Sequence, residues 1–169
     1  MCGYLKLVSA LLETKDIVVL TPLAGREHPA VRNIIGNFIN LVPIRVHNID
    51  SFDNHSLTLK VRELVKDAAR NQDSQFDRVI DELELPFPCD RNPLSGVSLN
   101  YLPQGVAGPV SKGSHNHRGH KLKYDMLLLV QDYTNSMNIE IRYRSGIFNQ
   151  AEIEVIFNDF EEHLNKTIL

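Results

Sequence analysis

Apolar positions change their spacing along the chain, and each change marks a new element. Tyr4, Leu5, Val8, Leu11 and Leu12 recur at helical spacing and predict an amphipathic helix at the start. Ile17-Val18-Val19-Leu20 is a short unbroken run rich in β-branched residues, as expected of a strand buried on both faces. Thr21 to His28 reads as a loop. Pro29 suits the first turn of a short helix, and Gly36 suits its left-handed stop. Phe38 to Val46 reads as a second strand. Pro43 lacks an N–H to give a ladder, so an edge or a bulge is expected there.

From Ser56 to Arg70 the residues Leu57, Val61, Leu64, Val65 and Ala68 form one stripe of a helix, with charged residues around the rest. Ser74-x-x-Asp77 resembles a capping box opening a second helix, whose Phe76, Val79, Ile80 and Leu83 share a face before Pro86 and Pro88 end it. Val97, Leu99 and Tyr101 alternate with Ser98 and Asn100, the pattern of a half-buried strand. Met126 to Val130 is an apolar strand. Met137, Ile139, Ile141 and Tyr143 alternate with polar residues as its hairpin partner, solvated on one face. Asn149-x-x-Glu152 is another capping box, followed by the stripe Ile153, Ile156, Phe157, Phe160 and Leu164. The order α-β-α-β-α-α-β-β-β-α implies an α/β fold, a two-layer sandwich of helices on a mixed β-sheet.

The 169 residues suit one domain, and a 43% apolar, 23% charged composition is that of an ordinary globular protein. A net charge of -3 argues against a nucleic-acid electrostatic footprint. Cys2 and Cys89 make neither a disulfide framework nor a zinc spacing, so a reducing compartment is expected. The N-terminus lacks a basic region and a cleavage site, Lys6 interrupts its apolar residues, and no run approaches the roughly 20 residues that span a bilayer. A cytoplasmic protein is the expectation.

The chain carries no GxSxG, P-loop or GxGxxG signature. His28 stands before a proline as a helix-entry residue, and His47 and His55 flank a polar turn. His163 falls late in the closing helix, where it can meet the helix dipole. His115, His117 and His120 are close enough in sequence to suggest a metal, but residues 103–123, a glycine-, histidine- and base-rich loop, contain no carboxylate or thiolate to complete a site. A solvated, mobile loop is the reading for that segment.

Three stretches carry a resemblance. Gly25-Arg26-Glu27-His28-Pro29 and Ile35-Gly36-Asn37-Phe38-Ile39-Asn40-Leu41-Val42-Pro43-Ile44-Arg45 are similar to the GRxHP and IGxFVNTLPLR motifs of nonribosomal peptide synthetase condensation domains. Asn71-Gln72-Asp73-Ser74-Gln75-Phe76-Asp77 resembles their HQDxPFE, and Asp90-Arg91-Asn92-Pro93-Leu94 the end of their RDxSRNPLF. Tyr143 to Phe148 resembles the family's segment before the last helix, so the likeness runs along nearly the whole chain. Departures are Leu41 for Thr, Gln75 for Pro, Asp77 for Glu, and Ser95-Gly96 for Phe-Gln. Ser98 to Leu102 also resembles the FNYLGQ of the related epimerization domains.

The resemblance implies one lobe of a chloramphenicol acetyltransferase-like fold, the C-terminal subdomain over residues 1–169. In that family two lobes flank a tunnel, and substrates enter it on phosphopantetheine arms of carrier proteins. The catalytic histidine belongs to HHxxxDG on the N-terminal lobe. No two histidines of this chain are adjacent, so that motif is absent from it. The implied function is half of an amide-forming domain, inactive alone, with no cofactor of its own and with the N-terminal lobe and carrier proteins as partners. A non-catalytic docking or lobe-pairing module, part of an epimerization domain, and an acyltransferase using His117 or His120 are the alternatives. The apolar surface of a lone lobe leads us to expect self-association.

The implied channel or motif residues are Arg26, Gly36, Phe38, Asn40, Arg45, Gln72, Asp73, Phe76, Arg91, Asn92 and Pro93. Phe38 is expected in the core. Asn40 is expected either to line the channel or to brace a loop, and Asp73 to meet free N–H groups at a helix start. Arg26 and Arg45 are expected to pair with carboxylates at the lobe interface.

Overall fold

The computed structural model describes residues 1–86, 90–106 and 123–168, the last four of these as backbone only. A five-stranded mixed sheet runs in the order β2-β1-β3-β4-β5. Its strands are β1 (Ile17–Leu23), β2 (Asn40–Val46), β3 (Val97–Leu102), β4 (Met126–Tyr133) and β5 (Ser136–Tyr143). The two outer pairs, β1 with β2 and β4 with β5, are antiparallel, whereas β3 lies parallel to both of its neighbours. Helices α1 (Cys2–Leu12), α2 (Asn54–Arg70), α3 (Phe76–Glu82) and α4 (Gln150–Ile168) complete the fold.

The α/β expectation holds, and the main core is where the helical and strand periods said it would be. Tyr4, Leu5 and Val8 of α1, Leu57 and Val61 of α2, and Ile153, Ile156 and Phe160 of α4 meet one sheet face. That face is built from Ile17, Val19, Val97, Leu99, Met126, Leu128 and Val130, alternate residues of their strands. Tyr4 and Phe160 pack edge to face with ring centroids 6.4 Å apart. The start of α4 is the reciprocal capping box: Glu152 N–H donates to Asn149 Oδ1 at 3.0 Å and Asn149 N–H to Glu152 Oε2 at 2.8 Å. The other face carries a smaller cluster, in which α3 sets Phe76 and Ile80 on Leu20 with Leu41, Leu85, Leu94 and Tyr124 around them.

Several boundaries differ from expectation for physical reasons. β1 continues through Pro22 to Leu23, because β2 pairs with it along its whole length. Pro43 stands on β2, an edge strand, as a missing donor requires. The helix expected from Pro29 is a single 3-10 turn, Pro29–Val31, with the His28 side chain accepting from Ala30 N–H at 3.2 Å. Gly36 is not a left-handed stop, since the described glycines with positive φ are Gly25 and Gly105. Gly25 has φ +65°, and a Cβ there would lie 2.0 Å from the Phe38 carbonyl oxygen.

Ser74 does not cap α3, whose N-cap is Gln75 without a side-chain bond. β3 is more than half-buried at its start, where Ser98 is enclosed and its hydroxyl donates to Leu20 O at 2.9 Å. Ser95 acts alike, donating to Val18 O at 2.8 Å. These two hydroxyls reinforce the β1–β3 join, whose parallel register is the single pair Leu20 and Ser98.

Candidate functional site: three motif stretches around one corner of the sheet

Asn40 opens β2 and draws the second stretch to the first. Its amide nitrogen donates to Gln72 O at 2.8 Å and Ser74 O at 2.7 Å, and its Oδ1 accepts from Phe76 N–H at 3.1 Å. Three bonds from one side chain therefore fix the chain between α2 and α3. Of the two expectations for Asn40, the geometry is that of a brace. The first N–H of α3 is met by Asn40 rather than by Asp73, which is exposed. Phe76, held by the same bond, is buried beneath it.

Arg26 organises the loop between β1 and β2. Its Nη1 donates to Val31 O and Ile34 O, both at 2.8 Å, and its Nη2 to Gly36 O at 2.8 Å. The guanidinium also lies over the Phe38 ring, 4.5 Å from its centroid. Arg26 thus serves backbone carbonyls and an aromatic face rather than a carboxylate. Phe38 is correspondingly half-buried beside Arg26 and belongs to neither core cluster. Arg45 does find a carboxylate, but within the chain: it grips both oxygens of Asp16, at 3.0 and 2.6 Å. That bidentate bond holds the Asp16 carboxyl below the usual carboxylate range.

In the third stretch Asn92 Oδ1 accepts from Leu94 N–H at 3.1 Å and Ser95 N–H at 3.4 Å, turning the chain around Pro93 into β3. Arg91 Nε lies 3.7 Å from Asp125 Oδ1, and Arg144 Nε approaches the same oxygen at 3.6 Å. Leu94 then packs against Phe76, Ile80 and Leu20. Asn40, Gln72, Phe76 and the Asn92–Pro93 turn are therefore gathered at the corner carrying the smaller apolar cluster, whereas Arg45 faces Asp16 at the far end of β2.

Among the described residues no group of three or more His, Cys, Asp or Glu could hold a metal ion. His163 bonds to Asp159 O at 2.7 Å within α4, and His47 Nδ1 lies 3.2 Å from Asp16. His115, His117 and His120, most of the loop expected at 103–123, and Cys89 lie outside the described residues. A hollow of ≈560 Å³ between α1, α4 and the Ile49–Ser51 turn is lined by Lys6, Glu13, Lys15, Asp50, Phe52 and His163, none of them a motif residue. No helix among the described residues is long and apolar enough to cross a membrane.

Sequence reasoning missed Gly25 as the left-handed residue, and it missed Ser95 and Ser98 as the join between β1 and β3. A glycine two residues after Leu23 was visible, but the carbonyl that excludes a side chain comes from Phe38, thirteen positions on.

The condensation-domain family model matches residues 4–169. This chain belongs to the condensation-domain family. It is 28% identical to bacitracin synthase 1 of Bacillus licheniformis over 169 residues, which is 97% of this chain and 3% of that protein. Its fold matches a four-domain nonribosomal peptide synthetase bound to AMP and glycine with TM-score 0.81 and 20% identity, over 99% of this chain and 15% of the other. It also matches the starter condensation domain of rhizomide synthetase, with TM-score 0.73 and 18% identity, over 99% of this chain but only 40% of that one. The condensation-domain chain spans well under half of such a solved domain and a few per cent of the curated synthetase. The corner built by Asn40 is thus part of a chloramphenicol acetyltransferase-like lobe.

Proposed function

We propose that this chain is the C-terminal lobe of an amide-forming condensation domain and works in the cytoplasm with an N-terminal lobe that carries HHxxxDG. The observation that carries this reading is the family match over residues 4–169, joined to a fold that covers 99% of this chain and 40% of a starter condensation domain. Donor and acceptor arrive on phosphopantetheine arms of carrier proteins, so the chain itself needs no cofactor. The acceptor amine attacks the thioester carbonyl, the C–S bond breaks, and the amine's proton ends on the departing thiol. A histidine from the other lobe positions or deprotonates the amine. This lobe contributes a tunnel wall and carrier-facing surface, and its polar corner keeps that wall in shape.

The test is amide formation between two aminoacyl-loaded carrier proteins, with this chain alone and then with the N-terminal lobe from the same genomic locus added. Product only with both lobes is expected. Product from the chain alone would overturn the reading and direct attention to His115, His117 and His120. Racemised aminoacyl carrier without amide would assign the lobe to epimerization instead.

A further inference from the structure

The two edges of the sheet differ in how their sequences guard them. β2 has Pro43 in its middle, which removes a backbone donor. β5 closes the other side with eight residues, Ser136–Tyr143, and carries no proline, glycine or lysine. Its pairing with β4 shows which backbone groups are spare. A two-residue turn joins the strands, so the closing pair, Tyr133 and Ser136, exchanges both ladder bonds. Asn138, Glu140 and Arg142 follow in the same phase, and Arg144 N–H continues it by donating to Asp125 O at 3.0 Å. Met137, Ile139, Ile141 and Tyr143 therefore turn their N–H and C=O groups away from β4. Among the described residues no further strand meets them. Native sheets seldom leave a long edge of that kind bare.

The side chains of β5 point to the occupant. Away from the helices, Arg142 bonds to both oxygens of Glu140, at 2.8 and 3.2 Å, with the two side chains 31% and 36% exposed. On the helix side Ile139, Ile141 and Tyr143 are only partly buried against the main core. A hollow of ≈270 Å³ opens there between Ile141 of β5 and Ile153 and Phe157 of α4. We propose that β5 is a dimerisation edge and that its occupant is β5 of a second copy of this chain, antiparallel and centred on Ile141. In that two-fold register Ile141 of one copy meets Ile141 of the other, and Ile139 meets Tyr143, so the outward backbone groups face one another. Glu140 stands directly opposite Arg142 on both sides of the axis, which joins the two in-strand pairs into one ladder of alternating charge. Moving the axis by one residue sets Glu140 against Glu140 or Arg142 against Arg142, so the charges select this register over its neighbours. Nothing in the pairing depends on the half-domain reading.

The experiment is sedimentation velocity on the full chain across a concentration series, with amide exchange followed at both ends of it. The unaltered chain is expected to pass from monomer to dimer. Ile139, Ile141 and Tyr143 should gain protection on association, whereas Glu140 and Arg142 should not, because their N–H groups already serve β4. Glu140→Arg leaves the edge with positive charge only, and Arg142→Glu with negative charge only. Each variant alone is expected to dimerise roughly 10-fold more weakly. An equal mixture of the two should dimerise again, since each then faces its opposite, and that recovery also shows that both are folded. A chain that stays monomeric at every concentration overturns the proposal and leaves the edge to a different strand. A dimer that gains protection elsewhere than on β5 overturns it without recourse to any variant. A mixture that fails to associate, although both variants melt like the unaltered chain, overturns it as well.

Discussion

The two faces of the sheet are held together by different physics. Beneath α1, α2 and α4, stability comes from many apolar contacts, no one of which is directional, and the elements meet through the stripes their sequences display. At the opposite corner, α3, the turn into β3 and the β1–β2 loop are tied by single side chains reaching backbone groups. Asn40, Arg26, Asn92, Ser95 and Ser98 each do this work. Packing tolerates small shifts, whereas a side chain with two or three bonds to a loop dictates its path. Arg26, Asn40 and Asn92 sit on the second kind of scaffold, so the loops they hold are fixed in shape without being deeply buried.

The sharpest way to break this contrast is to remove apolar volume from the packed face. Leu128 is 1% exposed in the middle of β4, and Leu128→Ala should destabilise the chain by about 2–5 kcal/mol, read from urea unfolding. The loss should be global, since every element of that face shares the cluster. A value near zero would mean that the face relaxes around the gap and is not close-packed.

Asn40→Asp probes the other side. It keeps the acceptor for Phe76 N–H and puts an oxygen against the carbonyls of Gln72 and Ser74, which now receive two donated bonds. The expected cost is about 2–3 kcal/mol, with amide exchange at Phe76 and along α3 accelerated more than on α1 or α4. Uniform acceleration across both faces would show that the corner is not a separately braced unit.

This difference also decides what the sequence could reveal. Helix stripes and strand alternation depend on residues three, four or two apart, so α1, α2, α4 and the β4–β5 hairpin were legible, and the Asn149 capping box was legible from its own four residues. The Asn40 brace spans more than thirty residues, and the left-handed turn at Gly25 depends on the Phe38 carbonyl, thirteen positions on. No local period encodes either one. Motif resemblance did pick out Asn40, Arg26 and Asn92, but as channel candidates, and it could not tell which atoms they would hold. Ser74 and Asp77 had the spacing of a capping box, yet Ser74 N–H, which the Asp77 carboxylate would have served, donates to Asn71 O at 3.1 Å, and α3 starts after Gln75 instead.

The smallest expected effect belongs to the Arg45–Asp16 pair, which lies at the far end of β2 and is open to water, with side chains 56% and 41% exposed. The bidentate bond from Arg45, aided by nearby His47, keeps the Asp16 carboxyl below its usual range. A carboxyl whose folded pKa is depressed contributes stability fully above its unfolded value of about 3.9, and that contribution disappears as pH falls through the folded value. Stability of the unaltered chain should therefore drop more steeply than that of Asp16→Asn as pH is lowered below about 4. Near neutrality the two should differ little, because solvent and salt screen an exposed pair. Unfolding curves collected through that acid range test this directly. If the slopes coincide, Arg45 is not held by Asp16 in solution and is available to a carboxylate on another lobe. The comparison of faces would then need a third kind of region, one whose charges wait for a partner.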